Sequence, residues 1–387
     1  MWFFRAPHIV YGEDALSYLA SIQGERAFIV TDANLVKLGV VDRVAQPLTE
    51  AGMAVEVFSE VEPDPSIETV TRASEQARAF HADWVIGLGG GSAMDTAKMV
   101  RVLADRTDLQ AIDVNPIEPI NLSGRVKLCT IPTTSGTGAE ASWPSIVTDH
   151  SENRKLILGH TDSLADVAIV DPSIPAGMPA WLTADTGMDA LVHAIEIYAG
   201  PWHNDFVDGM VLQAIKLIFE YLPRAYRDGT DMEAREKLHI AATMAGVGIN
   251  NSNVGLAHAL AHSLGGVFHP PHGRATSTFL PYTLQFITRE APERYADIAR
   301  WLDLPGDTPA ERAAALIAAY QQLQRQVNHP ADVRGLNVPE DKFYANLDHI
   351  VEAAEADGTM FNNPRVPDTQ EVRRLFEYAY AGHDVDF

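Results

Sequence analysis

Cysteine is nearly missing from this 387-residue chain: Cys129 stands alone. No internal disulfide can form, and a lone thiol fits a chain made in a reducing compartment. Set in the strand-like "VKLCTIP", it reads as buried packing and not as a nucleophile. Positive charge is scarce as well, with 29 Lys and Arg against 52 Asp and Glu for a formal net charge of −23. A surface of that sign cannot displace counterions from a polyanion, so a nucleic-acid partner is excluded and any anion must be held locally. No apolar run approaches the roughly 18 residues of a membrane-spanning helix, and the apolar block of "MWFFRAPHIV" is too short for a secretory leader. The expectation is a cytoplasmic chain with no membrane partner. Repeats, low-complexity tracts and charged tails are also absent, which excludes a solenoid or a disordered chain. With 46% hydrophobic residues, the chain can bury a large core and form two domains.

What is present changes character halfway. The first half alternates short β-rich runs, "RAFIVT" (26–31), "AVEVF" (54–58), "WVIGL" (84–88) and "VKLCTI" (126–131), with the helical patterns "VVDRVAQPLTEAG" and "IETVTRASEQARAF". That is the pattern of a parallel sheet with crossover helices. A further strand-like run, "VAIVDP", closes this half near Asp171. From Pro179 onward the 3.6-residue period dominates, through "DFVDGMVLQAIKLIFEYL", "REKLHIAATMAGVGI", "AERAAALIAAYQQLQRQV" and "TQEVRRLFEYAY". The reading is an α/β domain over 1–179, Rossmann-like, followed by an all-α domain over 180–387.

Two loops of the first half have the chemistry of a phosphate cradle. In "WVIGLGGGSAMDTAK", Gly89, Gly90 and Gly91 let the backbone turn tightly and approach a ligand, and Ser92 opens a helix whose free N–H groups attract anions. The same residues also describe an ordinary turn, capped by Ser92 with Asp95 three residues on. It is not a P-loop, because no Gly-Lys-Ser/Thr follows and Lys98 lies too far into the helix. A second loop, "IPTTSGTGAE" (131–140), leaves another strand dense in hydroxyls and glycines. Loops at the carboxyl ends of strands in one sheet face one crevice, and a dinucleotide fits two of them. Asp32, ending the strand in "FIVTDAN", can accept from a ribose and repel a 2′-phosphate, or can be a turn or N-cap aspartate.

The second half carries a metal-binding pattern. "DTGMDALVHAIE" puts Asp189 and His193 on one helical face. "GLAHALAHSLGGVFHPPHGRA" then gathers His258, His262, His269 and His272, four of 14 histidines, within fifteen residues. His258 and His262 share a face, Gly265 and Gly266 are expected to end their helix, and His272 is expected in the Pro-rich loop beyond it. His269 reads as exposed, and His8, His81, His239 and His349 as isolated core or surface residues. One aspartate with several histidines suits Fe²⁺ or Zn²⁺, not the all-oxygen shells of Ca²⁺ or Mg²⁺. Asp185 and Glu196, at helical spacing around the first pair, read as surface charges in preference to groups that orient ligands.

Taken together, "GGGSAMDTAK", "IPTTSGTGAE", "DALVHA", "GLAHALAHSLGG…PHG" and "NNPR" (362–365) resemble the iron-containing (group III) alcohol dehydrogenases over nearly the whole chain. The resemblance implies a dehydroquinate-synthase-like fold, with an NAD-binding domain, a helical metal-binding domain and an active site in the cleft between them. It implies Asp189, His193, His258 and His272 as ligands of Fe²⁺, with Zn²⁺ the alternative, and His262 as the proton-transfer residue. It places Gly90, Gly91 and Ser92 at the pyrophosphate, and Thr133, Thr134 and Thr137 at further cofactor contacts. Asp32 falls on the residue that favours NAD over NADP, and Lys155 near a lysine that reaches the cofactor. A homodimer is typical of the family.

The function implied is metal-assisted hydride transfer between a small or medium primary alcohol, or diol, and NAD. A 4-hydroxybutyrate-type hydroxyacid dehydrogenase is the alternative within the family. Zinc-dependent glycerol-dehydrogenase-like and dehydroquinate-synthase-like relatives, and a maleylacetate-reductase-like role, fit the ligand set less well. A metal-dependent hydrolase or other non-redox protein would not need the two cofactor loops. Trp143, Pro144 and Ile249 fall near positions that line the substrate cleft in relatives, and Trp143 reads equally as core.

Overall fold

A computed structural model describes residues 3–150 and 154–387. Met1 and Trp2, at the head of the stretch read for a leader, and residues 151–153 lie outside the described residues. The chain divides into two compact units, Met1–Gly177 and Met178–Phe387.

The first unit carries strands β1 (His8–Tyr11), β2 (Arg26–Val30), β3 (Ala54–Phe58), β4 (Trp84–Gly89), β5 (Lys127–Pro132), β6 (Ser145–Asp149), β7 (Arg154–Leu158) and β8 (Val167–Val170). Among the described residues, six of them form one parallel sheet in the order β1-β8-β5-β4-β2-β3, and β6 and β7 form an antiparallel hairpin. Helices α1 (Ala33–Lys37) and α2 (Val40–Glu50) lead from β2 to β3. Next, α3 (Ile67–Ala79) leads to β4, and α4 (Gly91–Asp105) leads to β5. Every residue of β4 and β8 is buried, as expected of parallel strands covered on both faces. The pleat sends Ile29 and Ile86 into one core with Val44 and Leu48 of α2. Their neighbours Phe28, Val30 and Val85 enter another, with Ala73 and Ala77 of α3 and Ala97 and Val100 of α4. Cys129 is fully buried in the first of these, and burial pushes its thiol far above the usual range.

The second unit is built from α5 (Ala180–Ala199), α6 (Asp205–Arg227), α7 (Met232–Asn251), α8 (Leu256–Phe268), α9 (His272–Thr288), α10 (Glu293–Trp301), α11 (Pro309–Gln326), α12 (Glu340–Ala356) and α13 (Thr369–Ala381). Helix α5 is buried on all sides from Gly187 to Ala199: most of its residues are apolar, and the polar stripe of Asp189, His193 and Glu196 is buried with them. Two glycines set its neighbours close. A Cβ on Gly187 would come within 2.6 Å of Leu222 in α6, and one on Gly273 within 2.5 Å of the Asp185 carbonyl and 2.8 Å of the Asp189 Cβ. The second contact presses the first turn of α9 onto α5.

Two local expectations are corrected here. Gly265 and Gly266 do not end α8, which runs on to Phe268 and stops where exposed His269 takes the left-handed conformation (φ 54°). His272 is not in a loop but is the first residue of α9, behind Pro271. Proline is well suited to that junction, since its fixed φ restricts the backbone just ahead of the helix.

Candidate cofactor loops and metal centre

In the first unit, β2 lies between β3 and β4, and β4 between β2 and β5. The chain therefore leaves β2 toward one edge of the sheet and leaves β4 toward the other, which makes the carboxyl ends of these two strands a topological switch point. Asp32 follows β2, the glycine loop follows β4, and the threonine loop follows β5. The last two touch. Thr133 N–H donates to the Gly89 carbonyl at 2.9 Å, a Cβ on Gly90 would sit 3.7 Å from the Thr134 side chain, and one on Gly91 3.2 Å from Thr137 Cγ2. Thr134 Oγ1 is buried and has no hydrogen-bond partner, a cost that a ligand acceptor or donor would remove.

Ser92 is not a cap. Helix α4 begins at Gly91 with Gly90 as its N-cap, and no side chain caps it. Asp95 faces elsewhere, accepting from Lys98 Nζ at 3.0 Å and from Ile146 N–H at 3.0 Å. Fully buried Lys98 also donates to the Pro144 carbonyl at 2.8 Å, so this pair ties α4 to β6. Asp32 is the N-cap of α1, its Oδ1 accepting from Asn34 N–H at 2.7 Å and Leu35 N–H at 3.2 Å. Lys155, on the β6–β7 hairpin, pairs with Asp64 at 2.6 Å. Trp143 and Pro144 are half-buried ahead of β6, and Ile249 packs half-buried against the helical core of the second unit.

In the second unit, Asp189 and His193 project from α5, His258 from α8 and His272 from α9. One ligand atom from each lies within 4.8 Å of all the others. His193 Nε2 stands 3.9 Å from Asp189 Oδ2, His272 Nε2 3.8 Å from Asp189 Oδ1, and the His193 and His258 rings stack at 4.7 Å. Asp189, His193 and His258 are buried, while the His272 side chain is 44% exposed and leaves one side open. His258 Nε2 and His193 Nδ1 are buried without a hydrogen-bond partner. A close set of one carboxylate and three imidazoles, holding unsatisfied nitrogens, fits Fe²⁺ or Zn²⁺.

The surroundings tune these groups. Burial, then the neighbouring His193 and His272, push His258 well below the usual histidine range, so it is neutral with a free lone pair. Burial opposes ionisation of Asp189, but His193, His272, His258 and the Thr276 hydroxyl (2.8 Å) outweigh it and hold its carboxyl below the ordinary value.

The reading of Asp185 and Glu196 as surface charges is overturned: both are buried. Glu196 Oε2 lies 2.5 Å from His258 Nδ1 and accepts from Gly255 N–H at 2.9 Å, while Oε1 accepts from Ala257 N–H at 2.6 Å. Burial pushes its carboxyl up to about 7 in spite of the two backbone donors. With Nδ1 engaged, His258 presents Nε2 to the cluster. Asp185 accepts from Arg274 Nε at 3.0 Å and lies 3.4 Å from buried His329, bracing α5 against α9. Helical spacing alone cannot say which way a charge faces on a helix that is buried all round. The signal available for Glu196 was its isolation among apolar residues in "HAIEIYAG". His262, half-buried on α8, bonds through Nδ1 to Asp357 Oδ2 at 2.8 Å; sequence reading did not single out Asp357.

The sequence pattern of iron-containing alcohol dehydrogenases matches residues 6–172, and that of the C-terminal part of the Fe-containing alcohol dehydrogenase family matches residues 183–380. An NADPH-dependent butanol dehydrogenase from Clostridium saccharobutylicum is 38% identical over 381 residues, 98% of this chain and 98% of its own. An aldehyde-alcohol dehydrogenase from Streptococcus pneumoniae is 35% identical over 410 residues; the match takes in 99% of this chain but 46% of that one, so the chain spans about half its length. The crystal structure of a 1,3-propanediol oxidoreductase superposes with a TM-score of 0.92 at 32% identity, covering 98% of this chain and 100% of that one. The parallel sheet, the helical unit and these likenesses agree: the chain belongs to the iron-containing alcohol dehydrogenase family and is an NAD(P)-dependent oxidoreductase.

Proposed function

We propose that this chain interconverts small or medium primary alcohols, or diols, and their aldehydes with NAD, using Fe²⁺ or Zn²⁺ held by Asp189, His193, His258 and His272. The observation that carries this reading is the convergence of those four side chains within 4.8 Å. The butanol and propanediol relatives support the substrate class.

The bound ion supplies Lewis acidity to the substrate oxygen, and the nicotinamide takes or gives the hydride. The chain's own residues do the rest. Gly90 and Gly91 leave room for the pyrophosphate beside Ser92 and the N-terminus of α4, with Thr133, Thr134 and Thr137 facing it from the second loop. Asp32 Oδ1 is committed to its cap, and its negative charge disfavours a 2′-phosphate. The butanol dehydrogenase relative is NADPH-dependent, so the preference for NAD rests on this carboxylate. Lys155 reaches the cofactor only by leaving Asp64. In oxidation, the hydroxyl proton passes to Nε2 of His262, whose Nδ1 is occupied by Asp357. Its side chain is 31% exposed and so can release the proton to water.

The lone, buried Cys129 supports a cytoplasmic setting, and family resemblance supports a homodimer. The test is nicotinamide reduction by metal-stripped protein reconstituted with Fe²⁺ or Zn²⁺, across primary alcohols, diols and 4-hydroxybutyrate. Activity restored by one ion with a primary alcohol is the expected result. Silence with every ion and alcohol would sink the proposal.

A further inference from the structure

Four histidine rings crowd the metal cluster, but only three of them belong to it. The fourth, His262, has no atom among the ligand atoms that lie within 4.8 Å of one another, yet its ring stands close to two of the members. Its ring lies 5.4 Å from that of His272 and 5.7 Å from that of His258, while those two cluster members are themselves 5.6 Å apart. Its position on α8 does not exclude it, since His258 and His262 are four residues apart and such a pair readily takes one ion from a single helical face. Imidazole is also a better ligand than an alcohol for a divalent ion of this kind. His258 also has a carboxylate on its Nδ1, from Glu196 of the ligand-bearing α5, so what sets His262 apart is where its partner stands: Asp357, at 2.8 Å, lies just past the end of α12.

That carboxylate is fixed at both oxygens. Oδ2 holds His262, while Oδ1 accepts the N–H (2.8 Å) and the hydroxyl (2.7 Å) of Thr359, capping the short turn Gly358–Phe361. The turn is itself fastened back to the start of α8. Asn363 Oδ1 accepts from Leu256 N–H at 2.9 Å and Asn363 Nδ2 donates to the Met360 carbonyl at 2.8 Å, while Asn362 Nδ2 donates to the Asn253 carbonyl at 2.5 Å. The tether thus begins and ends on the helix whose histidine it restrains. Burial opposes the ionised form of Asp357, but His262 and Thr359 hold its carboxyl well below the usual range.

We propose that Asp357 is a positioning residue that holds His262 outside the metal shell, so that a coordination position stays free for the substrate oxygen. The inference rests on the metal reading above. Without the tether, His262 turns toward the ion, fills the free position and ceases to carry protons.

Cobalt(II) loaded into metal-stripped protein reports the shell directly, and azide is a probe of the free position. Native protein is expected to take up one Co²⁺ and to change its visible spectrum on adding azide. Asp357→Ser keeps a hydroxyl that can cap Thr359 but is too short to reach His262. It is expected to bind Co²⁺ at least as tightly as native protein, with an altered spectrum that no longer responds to azide. Adding His262→Ala to this variant restores the azide response but not the activity. His262→Ala alone keeps the native spectrum and the azide response, and the response regained by the double variant shows that the Asp357 change has not cost the fold. The proposal is overturned by an unchanged azide response in Asp357→Ser, by a roughly tenfold or greater loss of Co²⁺ affinity there, the size expected of a damaged site, by failure of the double variant to regain the response, or by an altered spectrum in His262→Ala. Failure of native protein to bind Co²⁺ would instead bring down the metal assignment itself, and this proposal with it.

Discussion

Glu196 and His258 are joined by a 2.5 Å hydrogen bond, and the same carboxylate takes the N–H groups of Gly255 and Ala257 at the entry to α8. One side chain therefore orients the imidazole and secures the helix that bears it. Glu196→Gln is expected to weaken metal binding by about 10- to 100-fold. Glu196→Ala should add a loss of stability of about 1–3 kcal/mol for each backbone donor left without a partner. Competition with a coloured chelator measures the first and thermal melts the second; unaltered affinity in Glu196→Gln would remove the orienting role.

Loss of a direct ligand should exceed that effect. His258→Ala and His272→Ala are each expected to fall more than about 100-fold in metal affinity and to lose nearly all metal-dependent turnover. Dialysis against chelator followed by metal analysis decides the matter. Full metal occupancy in either variant would exclude that residue from the shell.

Gly90 and Gly91 of the first unit make contrasting predictions. A Cβ on Gly90 meets Thr134 at an ordinary 3.7 Å, so Gly90→Ala should fold normally and yet fill the space we propose for the pyrophosphate. Its dissociation constant for NAD is expected to rise at least about tenfold, the equivalent of about 1.4 kcal/mol. Gly91→Ala brings a methyl to 3.2 Å from Thr137 Cγ2 and should lower the melting temperature as well. Unchanged NAD affinity in Gly90→Ala, read by isothermal titration, would contradict the cradle.

Asp32→Gly separates two roles of one carboxylate. Glycine is itself a serviceable N-cap, so the stability cost is only a few tenths of a kcal/mol, about 0.3. The ratio of kcat/KM for NADP to that for NAD should nevertheless rise about tenfold or more, since the charge facing a 2′-phosphate is gone. A flat ratio leaves Asp32 a cap and nothing else.

Acid sensitivity should be traceable to Asp105. Burial opposes its ionised form, but Ser123 donates its hydroxyl (2.6 Å) and N–H (2.5 Å) and Val126 its N–H (3.3 Å), and together they hold the carboxyl below its usual range. Its contribution is complete above the unfolded value of about 3.9 and is lost as pH falls through the lower folded value. The gap in melting temperature between native protein and Asp105→Asn should therefore close as pH drops below about 4. A constant gap would mean the carboxylate is not stabilising.

Legibility in the sequence followed the range of the interactions. The run "AVEVF" coincides with β3, and "WVIGL" and "VKLCTI" fall within a residue of β4 and β5, because a parallel sheet writes continuous apolar runs into the chain. The clustered histidines were visible because local spacing already places them on shared helical faces. By contrast, β1 is an edge strand of four residues, too short to show a pattern, and the β6–β7 hairpin was not singled out. The partners of the site were harder still. Asp357 reaches His262 across 95 residues through a turn whose placement depends on Asn362 and Asn363, and nothing local encodes that meeting. Helix α8 passes through Gly265 and Gly266, which face open space, because glycine costs a helix only about 1 kcal/mol against alanine and does not by itself end one.

The four proposed ligands are distributed over α5, α8 and the first turn of α9, so a captured ion is a rivet through three helices as well as a reagent. Binding that favours the folded chain stabilises it by mass action, about 2.7 kcal/mol when free ion stands at 100 times its dissociation constant. Against a total of roughly 5–15 kcal/mol for a typical native protein, that is a substantial share. The endurance of this chain against heat and proteases would then register the supply of its metal, and starvation for the ion would thin the enzyme population before it altered the chemistry of the molecules that remain.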